Sequence, residues 1–178
     1  MTVPDSDAPE EIRWAGRFIA AKTRGKWEYV GRTRGVRAAV IVAVDDDHVL
    51  LVEQYRVPLG RPCLELPAGL VGDETEGEPV ELAAARELEE ETGYHAERIE
   101  ALGDFASSPG MVSETFTLVR ASGLTRVGDG GGVHDEAITV HRVPLDGVAA
   151  FLAERRAAGV IADVKLLLLL GAGILAGA

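Results

Sequence analysis

Short hydrophobic stretches separated by polar breaks run along most of the chain, and they predict a sheet with few helices. Aromatic and β-branched residues at positions 12–32, interrupted by Gly25, predict two strands. Apolar runs on either side of the acidic turn at 45–47 predict a hairpin of residues 38–44 and 49–54. Further strands are predicted at residues 63–66, which lead into a turn at PAG, and at 97–105, 114–121 and 137–143.

Three segments have the composition of helices. Residues 79–92 combine good helix formers with Pro79 in the first turn and Gly93 at the end. Residues 145–158 and 163–175 are the other two predicted helices. A chain of 178 residues with 47% hydrophobic composition fits one domain of the α+β class or an α/β/α sandwich.

Charge and cysteine content limit the classes of function. The net charge of −11 makes the chain a poor candidate for nonspecific binding of nucleic acid or of an anionic membrane. The single cysteine, Cys63, is interpreted as a packing residue and suits a reducing compartment. The polar, acidic start of the chain lacks the pattern of a signal peptide. Together these features predict a cytoplasmic protein.

The last 13 residues, LLLLLGAGILAGA (166–178), are uninterrupted apolar sequence. A membrane-spanning helix needs ~20 apolar residues. The segment is therefore predicted to be a buried terminal helix or one packed against a partner chain.

The densest negative charge lies at RELEEETG (86–93), in the last turns of the predicted helix. Carboxylates there face the negative end of the helix dipole and repel one another. At about 100° per residue, Glu87, Glu90 and Glu91 share one side of the helix, whereas Glu89 faces elsewhere. Three converging carboxylates are suited to Mg²⁺, or alternatively Mn²⁺. The alternative interpretation of the run alone is a solvated helix face.

A wider pattern around these acids favours the metal site. Gly72, Glu78, Arg86-Glu87-Leu88, Glu90-Glu91 and Gly93-Tyr94 follow the spacing G-x5-E-x7-R-E-U-x-E-E-x-G-U, where U is apolar. The chain resembles the Nudix hydrolases at every specified position of this box. The resemblance implies an α/β/α sandwich with a mixed central sheet and a loop-helix-loop catalytic motif. It also implies that Glu87, Glu90 and Glu91 bind metal, and that Glu78 and Arg86 brace the loop against the helix.

Two further segments resemble the ADP-ribose pyrophosphatase subfamily. ELPAGL (65–70) is similar to the subfamily's approach to the box, in which the carbonyl of the alanine, here Ala68, contributes to a metal site. The spacing departs slightly from that of some relatives, because Gly69 precedes Gly72 by three positions. Pro109, sixteen residues after Gly93, matches a proline that marks the subfamily.

The resemblance also suggests residues that bind substrate, and Pro109 and Glu114 are among them. Arg56 can give a bidentate contact to phosphate, and Arg32 can neutralise one. Trp27 and Glu28 are similar to an N-terminal stretch that crosses to the partner subunit in dimeric relatives and holds the nucleobase. The chain is accordingly divided into an N-terminal tail and strands (1–34), which could exchange within a homodimer, and a Nudix domain (35–178). A surface arginine and a core-facing tryptophan are the alternatives for Arg56 and Trp27.

The general base is expected outside the box, because the box acids bind metal. Glu136 fits best by its spacing to the strand at 137–143, with Asp135 and Glu114 as the alternatives. The preceding GDGGG (128–132) is interpreted as a flexible hinge for a closing loop.

The function implied by this resemblance is metal-dependent hydrolysis of ADP-ribose to AMP and ribose 5-phosphate, or of a related nucleoside diphosphate sugar. A pyrophosphatase for another nucleotide sugar or a dinucleotide is the alternative. A noncatalytic ADP-ribose-binding regulator is the rival from another class, although such proteins typically lose box acids and this chain has all of them.

Overall fold

The computed structural model describes residues 3–33, 36–72, 77–133 and 136–175, and the side chains through residue 171. The strands are β1 Glu10–Ala15, β2 Ile19–Arg24, β3 Trp27–Arg32, β4 Arg37–Asp45, β5 His48–Arg56, β6 Arg61–Glu65, β7 Ala68–Val71, β8 Tyr94–Ala106, β9 Thr115–Arg126, β10 Thr139–Pro144 and β11 Ile161–Ala162. The helices are α1 Val80–Thr92, α2 Val148–Ala157 and α3 Leu167–Leu175, with 3₁₀ turns at Val57–Leu59, Leu145–Gly147 and Val164–Leu166.

The central sheet has eight strands and is mixed. Six of them follow the order β11-β6-β5-β4-β9-β8, while β10 pairs with β5 and β7 pairs with β4. The pairs β4–β9 and β11–β6 are parallel, and the other pairs in this sheet are antiparallel. The mixed sheet agrees with the fold expected from the sequence.

The sheet is covered on both faces, because side chains of a strand alternate between them. In β4, Ala39, Ile41 and Ala43 pack in one core cluster with Ala83, Ala84 and Leu88 of α1. On the other face, Val40 packs in a second cluster with Val148 and Leu152 of α2. This arrangement is an α/β/α sandwich and confirms the predicted fold class.

The N-terminal region forms three strands, so the prediction of two was wrong. Strands β1, β2 and β3 make a separate antiparallel sheet. The turn at Gly25 was recognised, but the chain also reverses before β2, where the Gly16 N–H donates to the Ile19 carbonyl at 2.8 Å. This sheet contacts the rest of the chain at Val30, whose N–H donates to the Met111 carbonyl at 3.0 Å. The predicted domain boundary at 34/35 lies outside the described residues.

Two other local predictions need correction. PAG was expected to be a turn, but Ala68 and Gly69 begin β7 and pair with β4. The predicted helix at 163–175 begins as the 3₁₀ turn Val164–Leu166 and continues as α3. Leu166 is buried, whereas Leu167 and Leu168 are about half exposed, so this terminal segment is only partly buried. Within the described part of the chain, every helix is too short or too polar to cross a membrane.

Candidate active site

The predicted site residues meet in a cavity of about 500 Å³ beside α1 and β7. Its described lining carries six carboxylates, Glu65, Glu87, Glu90, Glu91, Glu114 and Glu136, and four cations, Arg32, Arg56, Arg86 and Lys165. Six negative and four positive groups leave a formal charge of −2. A cavity with this excess of carboxylates is suited to a cation.

Helix α1 presents its acids to the cavity because its apolar side is fixed against the sheet. Ala83, Ala84 and Leu88 are fully buried beneath it. The helix ends at Gly93, which has a left-handed conformation and donates its N–H to the Glu89 carbonyl at 2.9 Å. Glu89 points away from the cavity, as predicted, and its Oε1 lies 2.5 Å from His95 Nδ1.

Strand β7 approaches α1 closely enough to contact two of the acids. The Ala68 N–H donates to Glu91 Oε2 at 3.0 Å. A Cβ atom at Gly69 would overlap the carboxyl group of Glu87, so a side chain there would displace that carboxyl group. The glycine in PAG therefore permits Glu87 to lie against the strand.

Glu91 occupies an environment that disfavours its charge. Its exposed fraction is only 6%. The pKa of Glu91 is raised to about 8, mainly by burial. The charges of Glu87 and Glu136 add to the rise, while the Ala68 N–H lowers the pKa. A cation at this position would favour the ionised form.

Arg86 lies among the acids of the box. Its Nη1 is 3.0 Å from Glu87 Oε1 and 3.4 Å from Glu90 Oε2. Its Nη2 is 3.7 Å from Glu78 Oε2, and Glu78 is largely buried just before α1. Thus the structure brings Arg86 and Glu78 together, and Arg86 also contacts two of the three predicted metal ligands.

The donor atoms fit a hard divalent cation. Carboxylate oxygens dominate the polar lining, and among its described residues there is neither histidine nor cysteine. In the described structure no three acidic, histidine or cysteine side chains converge at ligand distances. The acids bond instead to Arg86 and to the Ala68 N–H. Among the lining residues, Glu87, Glu90 and Glu91 could hold such an ion, with Ala68 beside them.

The predicted phosphate-binding arginines both line the cavity, and each is paired with a glutamate. Arg56 donates from Nε and Nη2 to the carboxylate of Glu65 at 2.6 and 2.8 Å. Arg32 donates from Nε to Glu114 Oε1 at 2.6 Å. Glu65 was missed as a partner, although it begins the ELPAGL segment. Lys165 was also missed, because nothing near it in the sequence marks a cavity residue.

Three of the predicted substrate-binding residues lie elsewhere. Trp27 and Pro109 line a second groove of about 440 Å³ between the N-terminal sheet and the loop before β9. Trp27 is 56% exposed, which excludes the alternative of a core-facing tryptophan. Glu28 is exposed on β3. Within one chain, these residues are therefore separate from the acidic cavity.

The candidate general bases differ in their surroundings. Glu136 lines the cavity, and its Oε2 accepts a hydrogen bond from the Val133 N–H at 3.2 Å. Glu114 lines it too but is bonded to Arg32. Asp135 lies outside the described residues. The preceding GDGGG (128–132), which the sequence predicts to be a flexible hinge, donates hydrogen bonds from three of its backbone N–H groups to carbonyls at the end of α1.

Comparison with known proteins agrees with the geometry. A model of the NUDIX domain matches residues 33–164, so the chain belongs to the Nudix family. The chain is 44% identical over 129 residues to an ADP-ribose pyrophosphatase of Mycobacterium tuberculosis, covering 72% of this chain and 58% of that protein. It is 39% identical over 119 residues to the methanol dehydrogenase activator of Bacillus methanolicus, covering 66% of this chain and 63% of that protein. This chain thus spans less than two thirds of the length of either relative.

A solved structure described as an ADP compounds hydrolase has the same fold. It superposes with a TM-score of 0.69 and covers 95% of this chain and 93% of that one, at 24% identity. The fold class predicted from the sequence is thereby supported independently of the box.

Replacing Glu91 with glutamine should weaken metal binding and remove most activity. The substitution also removes a buried charge from beside Glu87 and Glu136. Because the folded state raises the pKa of Glu91 from 4.5 to about 8, ionisation destabilises the metal-free fold increasingly as pH rises across that interval. We therefore expect metal-free Glu91→Gln to be at least as stable as the wild type at pH 8.

Calorimetric Mg²⁺ titration and thermal unfolding check this expectation. Glu89→Gln is the matched control, since it removes a carboxylate from the exposed side of the same helix. Unchanged Mg²⁺ affinity together with easier unfolding of metal-free Glu91→Gln would show that Glu91 is structural.

Proposed function

We propose that the chain is a divalent-metal-dependent pyrophosphatase of nucleoside diphosphate sugars, with ADP-ribose as its substrate and AMP and ribose 5-phosphate as products. The observation that carries the proposal is the largely buried Glu91 in a cavity that it shares with Glu87, Glu90 and two arginines suited to phosphate. The name of the Mycobacterium tuberculosis relative supports ADP-ribose over other nucleotide sugars.

The metal is proposed to be Mg²⁺, with Mn²⁺ as the alternative. Glu87, Glu90 and Glu91 would hold it, and the Ala68 carbonyl could add a further oxygen ligand. When bound, a divalent cation neutralises charge on the pyrophosphate and makes a coordinated water more acidic. Arg86 holds Glu87 and Glu90 in place from the other side, with Glu78 behind it.

The substrate's phosphates would bind Arg56 and Arg32. Glu65 accepts from Nε and Nη2 of Arg56, so Nη1 can donate to a phosphate oxygen. Glu114 accepts from Nε of Arg32, which leaves that guanidinium's terminal nitrogens for a second contact. The paired glutamates fix both guanidinium planes before substrate arrives, and this reduces the entropy lost on binding.

Hydrolysis then needs a base for the attacking water. Glu136 would accept a proton while the water oxygen forms a bond to one phosphorus. The bond between that phosphorus and the bridging oxygen breaks, and the bridging oxygen leaves with the other phosphate. Glu136 is preferred to Glu114, because Glu114 is paired with the positively charged Arg32 whereas Glu136 accepts from the neutral Val133 N–H.

A panel of nucleoside diphosphate sugars tests the function directly. With Mg²⁺ present, we expect ADP-ribose to be cleaved to AMP and ribose 5-phosphate with a higher kcat/KM than ADP-glucose, GDP-mannose or dinucleotides. Chromatography of the products identifies the cleaved bond. Preferential cleavage of another member would change the substrate assignment, and tight ADP-ribose binding without turnover would favour a noncatalytic regulator.

Glu136→Gln should lower kcat by ~10²–10⁴, the usual contribution of a general base. Mg²⁺ affinity and KM should stay nearly unchanged, since Glu136 is assigned neither to the metal nor to the phosphates. Steady-state kinetics measure the effect, with Glu114→Gln assayed beside it. If Glu136→Gln keeps more than a tenth of wild-type kcat while Glu114→Gln does not, the base is Glu114.

The proposed enzyme is a cytoplasmic homodimer in which residues 1–34 of each chain reach the partner's Nudix domain (35–178). Support comes from exposed apolar side chains of the N-terminal sheet and its first connection, which include Trp14, Phe18 and Trp27. Trp27 and Pro109 form a groove away from their own chain's acids, and in such a dimer they and Glu28 would hold the nucleobase over the partner's metal site.

Removing residues 1–34 should then abolish both association and nucleotide binding. Light scattering should show the intact protein with twice the 18.9 kDa mass of one chain, and the shortened protein with the mass of one shortened chain. Circular dichroism confirms that the remaining sandwich is folded. A shortened monomer with full activity would refute the exchange.

A further inference from the structure

The last carbonyls of α1 are satisfied by another part of the chain. A helix leaves its final four C=O groups without partners inside the helix. Here the Gly131 N–H donates to the Glu91 carbonyl at 2.8 Å, and the Gly132 N–H donates to the Glu90 carbonyl at 3.0 Å. The glycine segment (residues 127–132) therefore caps the same turn that carries two predicted metal ligands.

A second pair of hydrogen bonds extends this cap. The N–H groups of Val127 and Gly128 both donate to the Gly93 carbonyl, at 2.8 and 3.1 Å. Four N–H groups from one short segment thus bond to three carbonyls at the end of α1 and just after it, those of Glu90, Glu91 and Gly93. Such a set of bonds resists the sliding or hinging expected of a free glycine-rich loop.

Only glycine fits at the centre of this contact. Gly130 has a φ of +67°, in the left-handed region. A Cβ atom there would overlap the Thr92 carbonyl carbon and come within 2.7 Å of the Glu91 oxygen. Because both neighbours are backbone atoms of α1, they cannot rotate aside as a side chain could. Any side chain at position 130 would push the segment off the helix.

The glycine segment is joined directly to the residues around Glu136. The Ile138 N–H donates to the Gly131 carbonyl at 3.3 Å. The Val133 N–H donates to Glu136 Oε2, and a Cβ on Gly132 would lie 2.7 Å from that of Glu136. The backbone that holds the end of α1 is therefore in contact with the carboxylate proposed as general base.

We propose that the glycine segment is a positioning device that fixes Glu136 relative to Glu90 and Glu91, and that Gly130 is the residue that allows it to dock. The inference rests on the proposed function, in which Glu136 accepts the proton of the attacking water. The end of α1 then has two functions. Its side chains bind the metal, and its backbone carbonyls hold the glycine segment that positions the general base. Since a misplacement of about 1 Å can cost ~10² in rate, the docking has a measurable consequence.

If the glycine segment positions Glu136, the effect of Gly130→Ala on kcat should depend on whether Glu136 is present. In the otherwise wild-type enzyme, we expect kcat to fall by roughly 10- to 100-fold with KM and Mg²⁺ affinity within about threefold. In the Glu136→Gln background, the same substitution should cost no more than about twofold further, because the base that it misplaces is already absent. A purely structural defect would instead lower both activities by the same factor.

Gly159→Ala is the matched control. Gly159 also has a positive φ, +88°, but a Cβ there meets no atom within 4 Å, and the residue lies after α2, away from the acidic cavity. An alanine at position 159 has a similar backbone strain but does not overlap neighbouring atoms as an alanine at position 130 does. We expect it to lower thermal stability while leaving kcat unchanged.

Several results would overturn the inference. They are equal losses from Gly130→Ala in both backgrounds, an unchanged kcat in a folded Gly130→Ala enzyme, or full kcat in Glu136→Gln. If Gly130→Ala fails to fold, Gly132→Ala replaces it and is assayed in the same two backgrounds, with and without Glu136→Gln. Its new Cβ meets side-chain atoms of Glu136 and Ile138.

Hydrogen exchange in the wild-type protein separates this inference from the proposed function. The four amides that donate to the end of α1, those of Val127, Gly128, Gly131 and Gly132, should be protected to the same degree as those of α1. Exchange as fast as that of an unstructured peptide would reject the docking, whatever the enzyme hydrolyses. A wild-type protein that is protected here but cleaves no member of the substrate panel would reject the proposed function instead.

Discussion

The cost of burying the Glu91 carboxylate beside other acids at the end of α1 is the constraint on which the rest of the site depends. A buried Glu91 beside Glu87 raises the free energy of the metal-free protein, and the helix dipole adds to this cost. The fold must therefore hold these side chains by contacts that do not involve the metal. It does so with the sheet beneath Leu88, the Ala68 N–H on one side and Arg86 on another.

The arginines of the cavity are likewise held by contacts within the protein. Arg86, Arg56 and Arg32 each contact at least one glutamate in the described structure, so their guanidinium groups are held in defined orientations. Arginine suits such a site, because its planar fork can bond a carboxylate along one edge and a second anion along another. A lysine, with a single charged nitrogen, could not keep both partners in fixed geometry. The result is a preorganised cavity with charge of both signs, rather than a uniformly acidic surface.

The features that the sequence predicted are those that depend on local periodicity. The grouping of Glu87, Glu90 and Glu91, and the opposite orientation of Glu89, follow from the helical repeat alone. The alternation in β4 follows from the strand repeat in the same way. Contacts between distant segments could not be predicted by this route. The pairing of β7 with β4 and of Arg56 with Glu65 depends on how strands align in the sheet, which no local pattern specifies.

The contacts of the glycine segment also could not be predicted from local sequence. Its composition alone predicts flexibility, because glycine has the widest conformational freedom in an unfolded chain. In the fold that freedom allows close contact with the end of α1. Gly130 lies so close to the helix backbone that a residue with a Cβ atom would overlap it. Whether a glycine-rich run is a hinge or a docked segment thus depends on its hydrogen-bond partners. Here those partners are the carbonyls of Glu90 and Glu91, so a segment that its composition alone would describe as flexible is bonded to the end of α1.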